Sequence, residues 1–240
     1  MKTSNITAII LAGGLGTRIR GINDEVPKPL IRIGKYNLLE YNLLKLKREG
    51  VTNFVISLGY KADMVRDFFG NGSKHGVNIS YSQDPQPLGD AGAFRYIYQN
   101  IRGTALFVNA DDIRTGLDLR QMLAFHEDRR AISTVALIEQ EDLENHGICE
   151  LDGGGRVNRF LMNPTRTDTI SKYANSGFYL MEEDVLAYLP EGHSSMRKVL
   201  PSFVESGRFY GFVFGGLYFN VGNLEILKRA RAHSEELDRI

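Results

Sequence analysis

Short apolar runs rich in β-branched residues alternate with amphipathic stretches through the first half of the chain. The apolar runs cover residues 6–11, 54–58, 77–81 and 105–108, and the amphipathic stretches cover residues 38–49, 62–69 and 88–101. In the first amphipathic stretch Leu39, Leu43 and Leu46 recur at helical spacing, as a helix with one buried face requires. Strands that alternate with helices in this way predict βαβ units and a mostly parallel sheet.

A hairpin and a less regular mixture of elements are predicted for the second half. Residues 148–151 and 157–161 flank a turn with Gly153, Gly154 and Gly155, and glycine readily adopts the positive φ angles of such turns. Further strands are predicted at 131–138, 173–181, 209–214 and near Tyr218, and helices at 182–189, 194–205 and 224–237. Since no linker or repeat separates the halves, we expect one α/β domain, residues 1–240, with a Rossmann-like, mostly parallel mixed sheet flanked by helices. Residues 1–130 would hold one ligand and residues 131–240 another.

Composition and charge narrow the class of protein. The 240 residues are 42% hydrophobic and 24% charged, close to the average for folded, water-soluble domains. Lysine plus arginine equals aspartate plus glutamate at 29 each, so no net positive field draws the chain to nucleic acid or to an anionic membrane, and we expect it to bind neither. No apolar run is long enough to cross a bilayer, and the first residues lack the pattern of a signal peptide.

The single cysteine, Cys149, cannot form an internal disulfide, which fits a reducing compartment. Together with the lack of membrane and export signals, this predicts a cytoplasmic protein. Cys149 lies in a predicted strand, and we expect a buried apolar residue there rather than a nucleophile.

A glycine-rich segment follows the first predicted strand directly. Its residues are Ala12, Gly13, Gly14, Leu15, Gly16, Thr17 and Arg18, and Pro27, Lys28 and Pro29 follow after a mixed stretch. Glycines let backbone N–H groups approach a phosphate closely, while Arg18 and Lys28 supply positive charge. The segment lacks the spacing of a dinucleotide fingerprint and the Gly-Lys-Ser/Thr ending of a P-loop. A tight strand-to-helix turn would explain the glycines alone, but with the two cations the segment predicts a triphosphate-binding loop.

Two adjacent carboxylates, Asp111 and Asp112, follow the buried strand predicted at 105–108. Ligand sites of open α/β sheets lie just beyond the carboxyl ends of the strands. Aspartate also favours helix and turn caps, so we predict a metal ligand at Asp111 and a cap at Asp112. Four histidines have no metal-ligand spacing and are expected at surface or turn positions: His75, His126, His146 and His193.

Together these motifs resemble those of the sugar-1-phosphate nucleotidyltransferases, and the resemblance continues through nearly the whole chain. The family pattern Ala-Gly-Gly-x-Gly-Thr-Arg followed by Pro-Lys-Pro is similar to residues 12–18 and 27–29. The family's Pro-Leu-Gly-Thr-Ala-Gly-Ala motif is similar to residues 87–93, with Asp90 in place of the threonine. Its Asn-Gly-Asp motif is similar to residues 109–111, and its Gly-x-Trp-x-Asp-x-Gly motif is similar to residues 216–222. Two further segments resemble the strands that hold the family's acceptor: one with His146, Gly147 and Glu150, and one at residues 175–177. Residues 15–20 look most like heptose-1-phosphate and mannose-1-phosphate guanylyltransferases.

The resemblance implies a fold of the nucleotide-diphospho-sugar transferase type and a metal-dependent reaction. A nucleoside monophosphate would pass from a nucleoside triphosphate, with GTP favoured, to a sugar 1-phosphate or similar phosphorylated acceptor, releasing pyrophosphate with the help of Mg²⁺. The implied catalytic residues are Arg18, Lys28 and Asp111, and the implied metal ligands are Asp111 and Asn220. The implied nucleotide-binding residues are Leu11, Gly13, Gly14, Gly16, Thr17, Asp84 and Gly89. The implied acceptor-binding residues are Gly147, Glu150, Asn163 and Asn175. The oligomeric state stays open, a homo-oligomer included.

The nucleobase depends on Asp84, which lies where related enzymes place a glutamine or glutamate that meets the base edge. An ionised carboxylate only accepts hydrogen bonds, and guanine offers adjacent N–H donors at N1 and N2, whereas thymine offers one donor between two carbonyls. Guanine is therefore the better chemical match. A turn aspartate before Pro85 is an equally good interpretation of this residue.

Two positions depart from the family pattern, and the first concerns the acceptor. Met162, Asn163 and Pro164 replace the usual Glu-Lys-Pro, so a neutral side chain stands where the family's lysine grips the acceptor. We expect either an atypical acceptor or a substitute cation from among Arg156, Arg159 and Arg166.

The second departure concerns the metal, because Asn220 stands where the family has its second metal-binding aspartate. An asparagine carbonyl can coordinate a hard cation but adds no negative charge, so it should bind Mg²⁺ more weakly. In an active enzyme we therefore expect Asn220→Asp to lower the Mg²⁺ requirement. The two departures leave a second interpretation open: a catalytically degenerate regulatory partner of an active transferase that binds a nucleotide or nucleotide sugar.

Overall fold

A computed structural model of the chain describes residues 3–14 and 26–240. Within these residues the strands are β1 Thr7–Leu11, β2 Asn53–Leu58, β3 Asn78–Gln83, β4 Ala105–Asn109, β5 Asp112–Arg114, β6 Ser133–Glu139, β7 Gly147–Leu151, β8 Val157–Met162, β9 Tyr173–Met181, β10 Phe209–Val213 and β11 Tyr218–Asn220. The α-helices are α1 Leu38–Arg48, α2 Ala62–Phe69, α3 Gly89–Tyr98, α4 Leu119–Asp128, α5 Met196–Glu205, α6 Leu224–Ala232 and α7 Ser234–Leu237. Short 3₁₀ turns cover Thr3–Asn5, Lys28–Leu30, Ser73–His75 and Glu183–Ala187.

The strands of both halves of the chain form one mixed sheet. Its order is β10-β6-β9-β4-β1-β2-β3, and the β7–β8 hairpin pairs with one end of β9. The pairs β1–β2, β1–β4, β2–β3 and β6–β10 are parallel, whereas β9 runs antiparallel between β4 and β6. This mostly parallel mixed sheet flanked by helices confirms the predicted fold class.

Alternate residues of the central strand β1 enter two different hydrophobic clusters. Ile10 packs in one cluster with Leu39 and Leu43 of α1, and Ile9 packs in the other with Phe94 of α3 and Phe203 of α5. This alternation follows from the two-residue period of a strand, whose side chains point to opposite faces. Each fully buried side chain of this size stabilises the fold by about 1.5–3 kcal/mol, so helices on both faces hold β1 in place.

Capping residues fix where two of the helices begin. The Asn37 side chain accepts a hydrogen bond from the Glu40 backbone N–H at 2.8 Å, and the Glu40 carboxylate accepts one from the Asn37 N–H at 3.4 Å, which is a capping box at the start of α1. The Asp118 carboxylate accepts from the backbone N–H groups of Arg120 and Gln121 at the start of α4. These contacts satisfy N–H groups that have no partner inside the helix.

Three local predictions were wrong. Asp112 is not a cap but the first residue of β5, which pairs in register with β11 as a separate antiparallel ribbon. The helix expected at 224–237 is broken at His233 into α6 and α7. His126 is buried in α4 rather than exposed, because its ring contacts Thr134 Oγ1 at 2.7 Å and Glu182 Oε1 at 3.1 Å.

Cys149 is buried in β7, as predicted. Burial raises the pKa of its thiol to about 12, so the reactive thiolate is scarce at neutral pH. Among the residues of 3–14 and 26–240, no helix combines the length and the apolar character needed to span a membrane.

Candidate active site

Two adjoining pockets lie where the parallel strands β1, β2, β3 and β4 end. The larger has a volume of about 630 Å³ and is lined by residues that follow β1, β2 and β3 and by the start of α3. The smaller has a volume of about 270 Å³ and lies among β4, β7, β8, β9, β11 and the start of α5. Asp90 and Asn109 line both pockets. Ligands in the two pockets would therefore be neighbours, at the edge of the sheet where open α/β folds bind them.

The larger pocket collects the predicted nucleotide-binding residues that the structure describes. Leu11, Gly13, Gly14, Asp84 and Gly89 all lie on its wall. The other predicted residues of this group, Gly16 and Thr17, and the predicted catalytic residue Arg18 lie outside the described residues. The segments brought together here come from three separate strand ends, so the pocket is a product of the fold and not of the glycine-rich segment alone.

Gly89 at the start of α3 can only be glycine in this fold. Its φ is +69°, which side chains rarely adopt, and an added Cβ would lie 2.3 Å from the backbone oxygen of Ser194. The close approach lets the Ser194 oxygen accept hydrogen bonds from the N–H groups of Ala91 and Gly92. The start of α3 is therefore fixed against the segment that leads into α5.

Asp84 presents an acceptor to the larger pocket. Its Oδ1 is buried and has no hydrogen-bond partner within 3–14 and 26–240. Burial raises the pKa of the Asp84 carboxyl, and a hydrogen bond from the Leu88 backbone opposes that shift. A buried oxygen without a partner is costly, and a ligand that donates a hydrogen bond would remove the cost.

Lys28 and Asp111 form an ion pair beside the end of β4. The Lys28 ammonium donates to Asp111 Oδ2, and the two side chains are 14% and 28% exposed. Lys28 begins a 3₁₀ turn in which the Ile31 N–H donates to the Lys28 backbone oxygen at 3.0 Å. Asp111 lies between β4 and β5, two residues beyond Asn109. Two groups of opposite charge predicted to act on the triphosphate are thus held together just beyond Asn109, which lines both pockets, although neither Lys28 nor Asp111 is itself a lining residue.

The predicted metal ligands Asp111 and Asn220 belong to segments that the structure joins. The Val221 N–H donates to the Asp111 backbone oxygen at 2.9 Å, and Asn220 lines the smaller pocket. No group of three or more His, Cys, Asp or Glu side chains in the described parts of the chain forms a metal cage by itself. Mg²⁺ is commonly held by one or two protein oxygens together with substrate phosphates, so Asp111 and Asn220 fit that kind of site.

Asp112 lies beneath these groups as a buried acceptor. It is 1% exposed, and its carboxylate accepts hydrogen bonds from Asn109 Nδ2 at 2.9 Å, the Tyr218 hydroxyl at 2.9 Å and Asn220 Nδ2 at 2.8 Å. Burial and the charge of Asp111 raise its pKa to about 6, against the opposing effects of Arg114 and of the amide donors. Its role was missed because the sequence does not show that β5 and β11 pair.

The smaller pocket contains two of the four predicted acceptor-binding residues, Gly147 and Asn175. Glu150 does not line it: the residue lies three positions beyond Gly147 on β7, hence on the opposite face, where it forms an ion pair with Arg159 at 3.6 Å. Asn163 does not line it either, because the chain turns after β8 with Asn163 at a φ of +50° and its N–H donates to the His146 oxygen.

The three arginines proposed as substitute cations also lie outside this pocket. Arg156, Arg159 and Arg166 pair on the surface with Asp152, Glu150 and Glu141, respectively. Arg197, in the first turn of α5, is the one lysine or arginine among the described lining residues. No pattern in the sequence marked it, since its position depends on how α5 packs.

His146 also lines the smaller pocket, at the bend just before β7 and beside Gly147, in the segment that resembles the family's acceptor-binding strands. Burial lowers its pKa, so the imidazole is neutral at neutral pH and can both donate and accept a hydrogen bond. Its ring lies 6.1 Å from the Tyr218 ring, centroid to centroid. The pocket wall therefore combines neutral polar groups and the carboxylates of Asp90 and Asp112 with a single strong cation, Arg197, among the described lining residues. Such a wall suits a polyhydroxyl ligand whose one anionic group lies at Arg197.

A mixed, mostly parallel α/β sheet with adjoining pockets beyond its strand ends defines an open α/β fold of the kind that holds ligands at that edge. The structure of HddC from Yersinia pseudotuberculosis complexed with GMP-PN has the same fold, with a TM-score of 0.79 and 26% identity over 96% of this chain and 98% of that one. The model of the nucleotidyl transferase family matches residues 7–236. The chain therefore belongs to the nucleotidyl transferase family, and the predicted resemblance to its sugar-1-phosphate members is confirmed.

Two curated relatives illustrate that membership. A mannose-1-phosphate guanylyltransferase from Mycobacterium tuberculosis is 30% identical over 236 residues, which are 97% of this chain and 65% of that protein. A D-glycero-α-D-manno-heptose 1-phosphate guanylyltransferase from Aneurinibacillus thermoaerophilus is 29% identical over 226 residues, which are 93% of this chain and 96% of that protein. The chain thus spans under two thirds of the first relative and nearly all of the second.

Proposed function

We propose that this protein transfers a nucleoside monophosphate from a nucleoside triphosphate, with GTP preferred, to a sugar 1-phosphate, and releases pyrophosphate. The observation that carries this proposal is that the larger and smaller pockets share Asp90 and Asn109 as a common wall. Two ligands bound on either side of that wall would meet near the end of β4, and Asp111, which pairs with Lys28, follows two residues beyond Asn109. The guanylyltransferase names of the two relatives support the same assignment.

The reaction is a single in-line displacement at phosphorus. An oxygen of the acceptor phosphate forms a bond to the α-phosphorus, and the bond from that phosphorus to the oxygen bridging it to the β-phosphate breaks. Pyrophosphate leaves with the electron pair, so no protein nucleophile and no oxidant or reductant is needed. Because both reactants are anions, catalysis consists of holding them in line and neutralising charge.

Lys28 and Asp111 are proposed to neutralise that charge. The Lys28 ammonium would leave Asp111 for the α-phosphate, and Arg18 would hold the departing pyrophosphate. Asp111 and the Asn220 carbonyl would hold Mg²⁺, which neutralises phosphate charge and orients the triphosphate when it is bound. The ion pair between Lys28 and Asp111 supports this role, because it keeps both groups in place and mutually neutralised before the anion arrives.

Asp84 is proposed to select guanine. Its buried Oδ1 has no partner in the described chain, and adjacent N1–H and N2–H donors of guanine would supply one. A base without such a pair of donors leaves the acceptor unsatisfied, at a cost of about 1–3 kcal/mol. The preference therefore comes from the penalty that other bases incur.

The acceptor phosphate is proposed to pair with Arg197 in place of the family's lysine. Arg197 contributes the strong cation of the smaller pocket, while Asn175 and Gly147 line the part that would contact the sugar. A guanidinium binds phosphate through two parallel N–H donors. The neutral Asn163 would then be compatible with an ordinary sugar 1-phosphate.

Pyrophosphate release tests the proposed function with GTP, ATP, UTP, CTP and dTTP, each combined with mannose 1-phosphate, glucose 1-phosphate, a heptose 1-phosphate and a non-sugar phosphate. We expect release with GTP and at least one sugar 1-phosphate, and none without an acceptor. Tight binding of GTP without release from any combination would contradict an enzyme and favour a regulatory nucleotide-binding protein.

A further inference from the structure

The contact between Asp112 and Asn220 is built into the pairing of β5 with β11. The two residues lie directly opposite each other in this antiparallel ribbon. Asn220 Nδ2 is 2.8 Å from Asp112 Oδ1. Because an ionised carboxylate only accepts hydrogen bonds, the amide must turn its nitrogen toward Asp112, which leaves its carbonyl oxygen for another ligand.

The remaining positions around the Asp112 carboxylate are also filled. Tyr218 donates to the same oxygen as Asn220, and Asn109 donates to the other oxygen, both at 2.9 Å. An added Cβ at Gly177 would lie 2.0 Å from Asp112 Oδ2, so the backbone of β9 closes that side. The carboxylate is therefore held rigidly and its acceptor capacity is used within the protein, which argues against a direct role as a metal ligand.

One buried cation balances the charge of Asp112. Arg114 NH2 lies 4.0 Å from Asp112 Oδ2, and the two side chains are 4% and 1% exposed. The same guanidinium donates to the Ser176 backbone oxygen at 2.9 Å and lies over the Phe178 ring. A second carboxylate at position 220 would add a negative charge beside Asp112, and Arg114 is the one buried lysine or arginine among the residues that the structure describes.

We propose that Asp112 is a positioning residue that holds the Asn220 carbonyl oxygen toward the metal. In this pair of residues the carboxylate is at position 112, whereas the family pattern has its carboxylate at position 220. This inference rests on the proposed function, which supplies the metal. It reverses the expectation from the sequence: Asn220→Asp alone brings two carboxylates within hydrogen-bond distance. The exchange D112N/N220D keeps one carboxylate and one amide but swaps their strands, so that an amide on β5 donates to a carboxylate on β11.

Thermal unfolding and Mn²⁺ binding measured by electron paramagnetic resonance test this without turnover. We expect D112N and N220D each to lower the melting temperature by on the order of ten degrees. D112N leaves the buried Arg114 without its carboxylate, and N220D places a second carboxylate against Asp112. The exchange variant should regain more than half of the summed loss. Mn²⁺ affinity should fall roughly tenfold in D112N, as it does when other residues that orient a metal ligand are replaced. It should not rise in N220D. In the exchange variant it should return at least to the parent value.

The matched control is Asn71→Asp, at an exposed position where the side-chain oxygen accepts from the Ser73 N–H and an aspartate can do the same. It should leave both measurements unchanged. An exchange variant as unstable as the two single changes combined, or unfolded, would overturn the inference, as would N220D with parental stability. Absence of Mn²⁺ binding by the parent would overturn it too. Lack of pyrophosphate release with the predicted stability coupling intact would instead count against the proposed function alone.

Discussion

Asp90 Oδ1 accepts a hydrogen bond from the backbone N–H of Met196 at 2.7 Å, so a side chain in the first turn of α3 also caps α5. The same oxygen accepts from the Ala91 N–H at 2.9 Å. Asp90 also lies on the wall that the two pockets share. One carboxylate in place of the family's threonine thus joins the first half of the chain to the helix that carries Arg197.

Removing this cap should destabilise the protein slightly and loosen the smaller pocket. We expect Asp90→Ala to cost about 1 kcal/mol, the usual loss for a helix cap, which lowers the melting temperature by about 2–4 °C in a domain of this size. Asp90→Asn keeps an oxygen acceptor and should stay close to the parent in thermal unfolding. An equal loss in Asp90→Asn and Asp90→Ala would show that the charge, and not the oxygen acceptor, explains the contact.

Lys28→Ala should lower the rate of pyrophosphate release far more than it lowers stability. The ammonium neutralises charge that develops in the transition state, and losing such a contact should reduce kcat on the order of a hundredfold. Lys74→Ala removes an exposed lysine outside the pocket walls and serves as the control. If Lys28→Ala keeps nearly parental kcat, the assignment of Lys28 to the phosphates is wrong.

Asp84→Asn should relax the preference for GTP, because an amide presents a donor to guanine as readily as an acceptor. The ratio of kcat/KM for GTP to that for UTP measures the change. Since burial raises the pKa of Asp84, the parent should also lose GTP preference as the pH falls toward that pKa, and the asparagine variant should not. A parent enzyme that prefers dTTP or CTP would contradict the role given to Asp84.

Arg197→Ala should raise KM for the sugar 1-phosphate roughly ten- to a hundredfold, the effect of losing one hydrogen-bonded charge pair. KM for GTP should change little, because Arg197 lines only the smaller pocket. Arg159→Ala removes a surface arginine paired with Glu150 and is the matched control. If Arg197→Ala and Arg159→Ala raise KM for the sugar 1-phosphate equally, Arg197 does not bind the acceptor phosphate.

The parts of the site that could be predicted are those that short stretches of sequence determine. The order of strands and helices follows from local hydrophobic spacing. Lys28, Asp84 and Asp111 lie in short segments that resemble motifs of the family. The strand ends then bring Leu11, Gly13 and Asp84 to one pocket, as the fold class requires.

The parts that could not be predicted depend on pairing between distant segments. The ribbon that joins Asp112 to Asn220 consists of two three-residue strands, which are too short for a periodic signal, and these two residues are 108 positions apart. Arg197 reaches the smaller pocket through the packing of α5, and Glu150 misses it because a strand turns every other side chain away. Single positions in the motif comparison could not reveal that the amide at position 220 lies directly opposite a buried carboxylate at position 112.

The most direct measurement of the central claim is the product balance of a reaction containing the protein, GTP, Mg²⁺ and mannose 1-phosphate or another sugar 1-phosphate. Phosphorus NMR and mass spectrometry identify the products. We predict that pyrophosphate and a guanosine diphosphate sugar form in equal amounts, that neither forms without the acceptor, and that Lys28→Ala slows both equally. Hydrolysis of GTP to GDP and phosphate, or no product from any nucleotide and sugar phosphate pair despite bound GTP, would contradict the account.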